Sequence, residues 1–314
     1  MGNILIVGGA GYVGGAVTDL LAGGEHSIRV FDMILYEDSY RKPIDFVYGD
    51  VRNRAALKPH LDWADVVVWL AAIVGDGACQ LDPDTTIAVN QETVEWLAGN
   101  YDKRIVFMST CSVYGAQDVE LDEDSAKNPL SLYASTKLEA ESYLADKNAI
   151  IFRLGTLFGV GDLYSRIRMD LVVNFLTVRA HTMGKINVFG GDQFRPLLHV
   201  KDVARGIEKV LFDSSTGVYN LHRQNVRIID LSYQIRNHFP DLEIQRTDQP
   251  FQDTRNYRVR SDRAVADWKF DSAYSIDDGI EEVKALVEQN RIKDLDHARY
   301  SNQRYLQEQP LRQP

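Results

Sequence analysis

The chain has 314 residues, 45% hydrophobic and 25% charged, the balance of an ordinary globular protein with room for one large domain or two unequal ones. A formal net charge of −10 argues against nucleic acid as a general partner, and no apolar run approaches the ~20 residues that span a membrane. Two cysteines make no disulfide framework, and a first strand beginning within a few residues of Met1 leaves no signal peptide, so a reducing cytoplasm is the expected compartment.

Taken in order, "NILIVGGAGYVGGAVTDLLAGG" opens as a short apolar strand, passes through glycines and continues as a helix ended by Gly23 and Gly24. "SIRVFD" and "IDFVYGD" read as the second and third strands, "AALKPHLD" as a helix, and "ADVVVWLAA" as a fourth strand with almost no polar alternation. Such unbroken apolar strands suit a parallel sheet covered on both faces. A helix over 85–100, the strand "RIVFMST", a helix over 131–146 and a sixth strand, "NAIIFRLGTLFG", complete the run. This alternation predicts an α/β fold with a doubly wound parallel sheet, the Rossmann arrangement. Residues 1–156 form the expected nucleotide-binding domain, to which the chain returns around 198–222. Residues 157–314 make a smaller mixed α/β lobe, ending from about Gln289 in a polar stretch expected to be a solvated helix and a loose tail.

Gly8, Gly11 and Gly14 follow the first strand directly and open the next helix. In that setting the first allows a tight turn, the second lets a pyrophosphate approach the backbone, and the third lets helix pack on strand. The helix start, with Tyr12 and Val13, offers N–H groups and a positive dipole end to phosphate. Asp32 ends the second strand, 24 residues after Gly8. A carboxylate there accepts the hydroxyls of an adenine ribose and repels a 2′-phosphate, so NAD is the expected cofactor. Asp50 and Val51 stand where they would flank the adenine, and Leu70, Ala71 and Ala72 are small enough for the cofactor to lie across them. Both groups also read as ordinary packing.

Tyr133 and Lys137 stand four apart in "LYASTKLEAE" and so share a helix face. Free tyrosine is a poor base at neutral pH, and a nearby ammonium favours the phenolate. Thr110, with Ser109 and Ser112 close by, lies at the C-terminal end of the fifth strand, where open α/β sheets place their ligands.

At this point the chain resembles the extended short-chain dehydrogenase/reductases that act on nucleotide sugars, the 4-epimerases and 4,6-dehydratases. The resemblance rests on "GGAGYVG", Asp32, "WLAA", "VN" at 89–90, "STCSVYG", "YASTK", "FRLGTLFG" and "RPLLHVKDVA". It implies that Tyr133 is the general acid/base, that Lys137 lowers its pKa and holds the nicotinamide ribose, and that Thr110 is the hydroxyl partner. It implies further that Asn174, Arg195 and Arg255 hold a nucleotide-sugar diphosphate, with Val188 against the base. His199 reads as structural. A homodimer through a four-helix bundle is implied, built from the helix around 85–99 and the one carrying Tyr133. Ala134, Leu138, Ala140 and Leu144 suit that face or the sheet equally.

Two departures qualify the resemblance. The dehydratases carry an acid and a base after the Ser/Thr, whereas Cys111 and Ser112 stand here. Elimination needs a base that serine does not supply unaided, which argues against a 4,6-dehydratase. Cys79, in "IVGDGACQLDP", is placed beside Cys111, both within reach of a substrate pocket, either reactive or as small pocket-lining residues. The expected activity is therefore hydride abstraction from a sugar ring carbon, C4 first, by an epimerase or dehydrogenase. A 4-ketoreductase and a non-enzymatic NAD sensor are the alternatives.

Overall fold

A computed structural model of the chain describes residues 1–164, 166–247, 256–292 and 294–311. The first half alternates as β1 (Asn3–Val7), α1 (Tyr12–Leu21), β2 (Ser27–Asp32), β3 (Asp45–Tyr48), α2 (Arg54–Trp63), β4 (Val66–Trp69), α3 (Asp76–Leu81), α4 (Pro83–Ile87), α5 (Thr93–Asn100), β5 (Arg104–Thr110), a two-residue β6 (Glu120–Leu121), α6 (Leu132–Leu144) and β7 (Ala149–Leu154). The second half runs β8 (Thr156–Phe158), α7 (Val172–Met183), β9 (Lys185–Phe189), β10 (Phe194–His199), α8 (Val200–Val210), β11 (Gly217–Leu221), β12 (Gln224–Arg227), α9 (Ile228–His238), β13 (Glu243–Thr247), β14 (Arg258–Val259), α10 (Asp262–Trp268), α11 (Ile276–Glu288) and α12 (Asn302–Glu308).

Seven parallel strands form the main sheet in the order β11-β7-β5-β4-β1-β2-β3. Every residue of β4, β5 and β7 is buried, as strands without polar alternation must be when helices cover both faces. One face packs Ile4, Ile6, Val68 and Val106 against side chains of α1 and α8. The other packs Leu5, Val67, Phe107 and Ile151 against α2, α5 and α6. The strand order reverses between β1 and β4, which opens a crevice at their C-terminal ends. Gly8 sits in that crevice at φ 85°, and a Cβ there would stand 2.5 Å from the Ala71 nitrogen. Only glycine satisfies both demands.

Two elements differ from the sequence expectation. The helix expected over 85–100 is divided by a π turn at 88–92. The bulge carries Asn90, buried, whose amide closes on Ile73 from both sides: Oδ1 accepts from Ile73 N at 2.8 Å and Nδ2 donates to Ile73 O at 2.9 Å. Such bulges re-aim one side chain at the cost of a regular ladder. The expected sixth strand is cut at Gly155, so that β7 stays in the main sheet while β8 pairs with β10. A Cβ on Gly155 would meet Pro196 O at 2.7 Å, so the cut depends on glycine.

The second lobe has its own core, with Phe158, Val173, Leu176, Leu231, Ile235 and Ile280 packed between α7, α9 and α11. The polar C-terminal stretch is not a loose tail. Leu306 of α12 is 6% exposed and joins the apolar layer under the main sheet, and Asn302 is 3% exposed. Its sequence hid this because single apolar residues, not a periodic stripe, do the anchoring.

Candidate active site

A cavity of about 820 Å³ runs from the crevice at β1 and β4 into the second lobe. Its first end is the predicted nucleotide cradle. Gly8, Gly11, Tyr12, Val13, Gly14, Asp32, Asp50, Val51, Leu70, Ala71 and Ala72 all line it. Gly14 is pressed onto the turn, since a Cβ would lie 2.5 Å from Gly9 Cα, and α1 has no acidic side chain in its first turn to compete with a phosphate. The Asp32 carboxylate is held by Ala10 N at 2.9 Å and Ile34 N at 2.7 Å. Burial raises its pKa and these N–H groups oppose the rise. The cradle thus has the close backbone approach and the β2-end carboxylate that an NAD adenosine half requires.

The middle of the cavity carries Thr110, Tyr133 and Lys137. Ser131 caps α6, its Oγ accepting from Ala134 N at 3.2 Å, so the helix starts just before Tyr133. Lys137, 2% exposed, donates from Nζ to Met108 O at 2.9 Å and lies 4.7 Å from the Phe107 ring centroid. Burial pulls its pKa down to about 8. Burial pushes the Tyr133 phenol above its ordinary value, and the nearby Thr110 side chain opposes that. Thr110 also caps the short turn at Cys111–Tyr114, accepting from Ser112 N at 3.1 Å. The phenol, the hydroxyl and the ammonium therefore belong to side chains from β5 and α6 that line the same cavity.

Behind this point, Glu141 accepts from Arg153 Nη2 at 2.6 Å and Nε at 3.0 Å, and from Ser109 Oγ. Arg153 continues to the Tyr114 hydroxyl at 2.9 Å, which donates to Asn220 Oδ1 at 2.8 Å. This buried network fixes the end of β5 against β7 and β11. Asn90 acts similarly on the loop after β4, and reaches Thr136 Oγ1 at 3.4 Å.

The far end of the cavity is lined by Ser112, Val188, Arg195 and Tyr257, with Ser112 Oγ and the Tyr257 hydroxyl 3.3 Å apart. Other expected substrate residues lie elsewhere. Cys79 and Cys111 are fully buried outside the lining, their thiols on Ile73 O at 3.4 Å and Arg153 O at 3.1 Å. Burial raises both, Cys79 to about 12, so both are neutral thiols. Asn174 is also buried behind the wall. It clamps Gly159, accepting from its N at 2.9 Å, and donates to Arg168 O at 2.8 Å. Arg255 lies outside the described residues. His199 caps α8, with Nδ1 accepting from Lys201 N at 3.1 Å and Nε2 2.9 Å from Glu282.

Sequence reasoning missed Arg166, Arg168, Asp170 and the segment Ser301–Gln303, all of which line the cavity. "SRIRMD" reads as loop, and its one signal is two arginines alternating beside an apolar helix start. The C-terminal residues gave no signal, because their approach is purely tertiary.

A parallel sheet with a glycine cradle at its switch point, and a Tyr/Lys/Thr group beside it, defines a dinucleotide-dependent short-chain dehydrogenase/reductase scaffold. The model of the NAD dependent epimerase/dehydratase family matches residues 4–221. The chain belongs to that family, and NAD is its cofactor. Over 220 residues it is 27% identical to N-acetyl-alpha-D-glucosaminyl-diphospho-ditrans,octacis-undecaprenol 4-epimerase of Escherichia coli O157:H7, covering 66% of this chain and 65% of that one. Over 245 residues it is 28% identical to UDP-glucose 4-epimerase of Rhizobium leguminosarum bv. trifolii, covering 75% and 65%. The match thus spans just under two thirds of these relatives' length. Among solved structures, UDP-glucuronic acid 4-epimerase from Bacillus cereus superposes with a TM-score of 0.77 at 21% identity, covering 91% of this chain and 99% of that one. An NAD-dependent NDP-hexosamine 5,6-dehydratase superposes at 0.80 with 23% identity, covering 94% and 100%.

Proposed function

We propose that the protein is an NAD-dependent enzyme that oxidises a ring alcohol of a nucleotide sugar, at C4, as an epimerase or a dehydrogenase. The convergence of Tyr133, Thr110 and Lys137 on the cavity beside the nucleotide cradle carries this reading. Bound NAD supplies the hydride acceptor. Thr110 orients the alcohol, Tyr133 Oη takes its proton, and the buried Lys137 charge favours the phenolate that does so. As the proton leaves oxygen and the hydride leaves the same carbon, the alcohol becomes a ketone. Return of the hydride to the other face inverts the centre; release of the ketone leaves a net oxidation.

The far end, with Arg195, Val188, Ser112 and Tyr257, offers charge, an apolar wall and hydroxyls to a nucleoside diphosphate. The 4-epimerases among the relatives support C4, and the absence of any carboxylate in "STCSVYG" supports epimerisation or dehydrogenation over 4,6-elimination. We read the enzyme as cytoplasmic and dimeric through α5 and α6. Ala134, Ala140 and Leu144 are buried within the chain, so other residues of those helices would form the contact.

The test is incubation with UDP-, dTDP- and GDP-sugars while following absorbance at ~340 nm and product sugars by chromatography. Conversion of one sugar to its C4 epimer without net absorbance change identifies an epimerase. Stoichiometric NADH identifies a dehydrogenase, and consumption of added NADH by a keto sugar identifies the reverse reductase. No turnover of any nucleotide sugar overturns the reading.

A further inference from the structure

The nucleotide cradle has a charge problem. A dinucleotide pyrophosphate carries two negative charges, yet of residues 1–100 that line the cavity only Arg52 is basic, and Asp50 pairs with it at 2.7 Å. Backbone N–H groups at the start of α1 meet phosphate oxygens but leave no full counter-charge.

A cation stands across the cavity, in the other lobe. Arg166 is 4% exposed. Its guanidinium lies 3.5 Å over the centre of the Tyr36 ring, in the loop that follows Asp32. Two of its nitrogens are held by the C-terminal segment: Nε donates to Arg299 O at 2.9 Å and Nη1 donates to Asn302 Oδ1. The third, Nη2, is buried with no hydrogen-bond partner among the described residues. No carboxylate there forms an ion pair with Arg166; Asp170 and Glu37 act on it only at longer range. Burial, with Arg168 alongside, pulls its pKa down to about 10. Arg168 is different, because Asp170 takes its Nε at 2.6 Å.

The position of Arg166 tells which anion it awaits. Asn302, which holds it, also donates from Nδ2 to Val74 O, and Val74 follows the strand whose end faces Gly8. Tyr36 below it belongs to the loop that follows Asp32. Arg166 is therefore on the cradle side, beside the loops that follow β2 and β4. We propose that Arg166 is the counter-ion of the NAD pyrophosphate, contributed by the second lobe and aimed by Asn302 of the C-terminal segment. The cofactor site is then completed across the lobe boundary, and the segment 298–303 is a working part of it. A planar guanidinium stacked on Tyr36 and fixed at two nitrogens offers its remaining donor with little entropy left to lose.

The proposal rests on the cavity holding NAD and not on which sugar is turned over, so binding tests it without turnover. Protein freed of cofactor is titrated calorimetrically with NAD, ADP and adenosine, with folding followed by circular dichroism. Arg166→Met is expected to weaken NAD and ADP roughly ten- to hundredfold, the range for a charge-assisted hydrogen bond, and to leave adenosine within about twofold, since no phosphate is present to lose a partner. Arg166→Lys should recover part of the ADP affinity. Asn302→Ala keeps the charge but frees it, and should weaken ADP severalfold; it and the lysine variant carry the comparison if the methionine variant does not fold. Equal loss for ADP and adenosine would show a merely structural arginine and overturn the proposal. So would unchanged NAD and ADP binding with the loss confined to a nucleotide sugar, which would assign the anion to the substrate.

Discussion

Lys137 is a poor choice for stability and a good one for chemistry. A cation 2% exposed, with one carbonyl partner at 2.9 Å, is destabilised enough to titrate near pH 8. The unfolded chain holds that proton up to the ordinary lysine value, so between about 8 and 10.5 it binds more protons than the folded one and stability rises with pH across that window. Below it the full penalty is present. Lys137→Met is therefore expected to stabilise the cofactor-free protein at pH 7 by about 1–3 kcal/mol and to flatten the rise above pH 8. Urea unfolding at pH 7 and pH 10 checks both, and a destabilised variant would mean that the carbonyl contact outweighs burial. Tyr133→Phe makes the complementary cut. It removes the proton acceptor and leaves the ring, so kcat should fall ~10²–10⁴-fold while calorimetry finds NAD affinity within a few fold.

At the scale of the element, the catalytic strand end is only as firm as what stands behind it. Glu141 on α6 joins Arg153 on β7 and Ser109 on β5, and all three are buried. Removing one charge from such a pair strands the other. Glu141→Gln should cost roughly 3 kcal/mol by urea unfolding, and the double change with Arg153→Met should cost less than the sum of its parts. Strict additivity would show that the pair does not couple. None of this network was legible in advance, because a Glu on a helix and an Arg on a strand read as surface charge until the pairing is known. The elements themselves were legible. Unbroken apolar runs mark β4, β5 and β7, and the glycine spacing marks the turn into α1. The exceptions are those where tertiary contact overrides local pattern. Asn90 bends its helix into a π turn to reach Ile73. Gly155 hands the chain from one sheet to another because only its bare Cα fits beside Pro196. For the site, residues on periodic elements were readable. Asn174 and the two cysteines were displaced, because spacing along the chain does not say which side of a wall a side chain faces.

For the molecule as a whole, the question is what keeps two lobes at one cavity. α8 and β11 return the chain to the main sheet, and the C-terminal segment adds contacts beside the cavity that residues 301–303 line. Arg299 spans to Tyr36 O at 3.3 Å and Glu37 at 3.5 Å, and the Tyr305 ring lies 5.0 Å from that of Tyr36. Met169 N donates to Tyr300 O at 3.0 Å, and Leu306 buries its side chain in the apolar layer on the main sheet. The segment therefore ties the second lobe to the loop after β2, beside the cavity that both line. An enzyme that must keep its reduced cofactor until hydride returns gains from such a strap, whereas one that exchanges cofactor each cycle is slowed by it. Leu306→Asp places a charge where a buried leucine sat. It should cost about 3 kcal/mol and raise the NAD dissociation rate at least tenfold in a stopped-flow chase with excess ADP. If the melting temperature falls but the release rate does not change, the segment is a stabilising clasp that the cofactor does not pass beneath. If release accelerates while an epimerase begins to shed keto sugar and NADH, the strap is what holds the two halves of the reaction together.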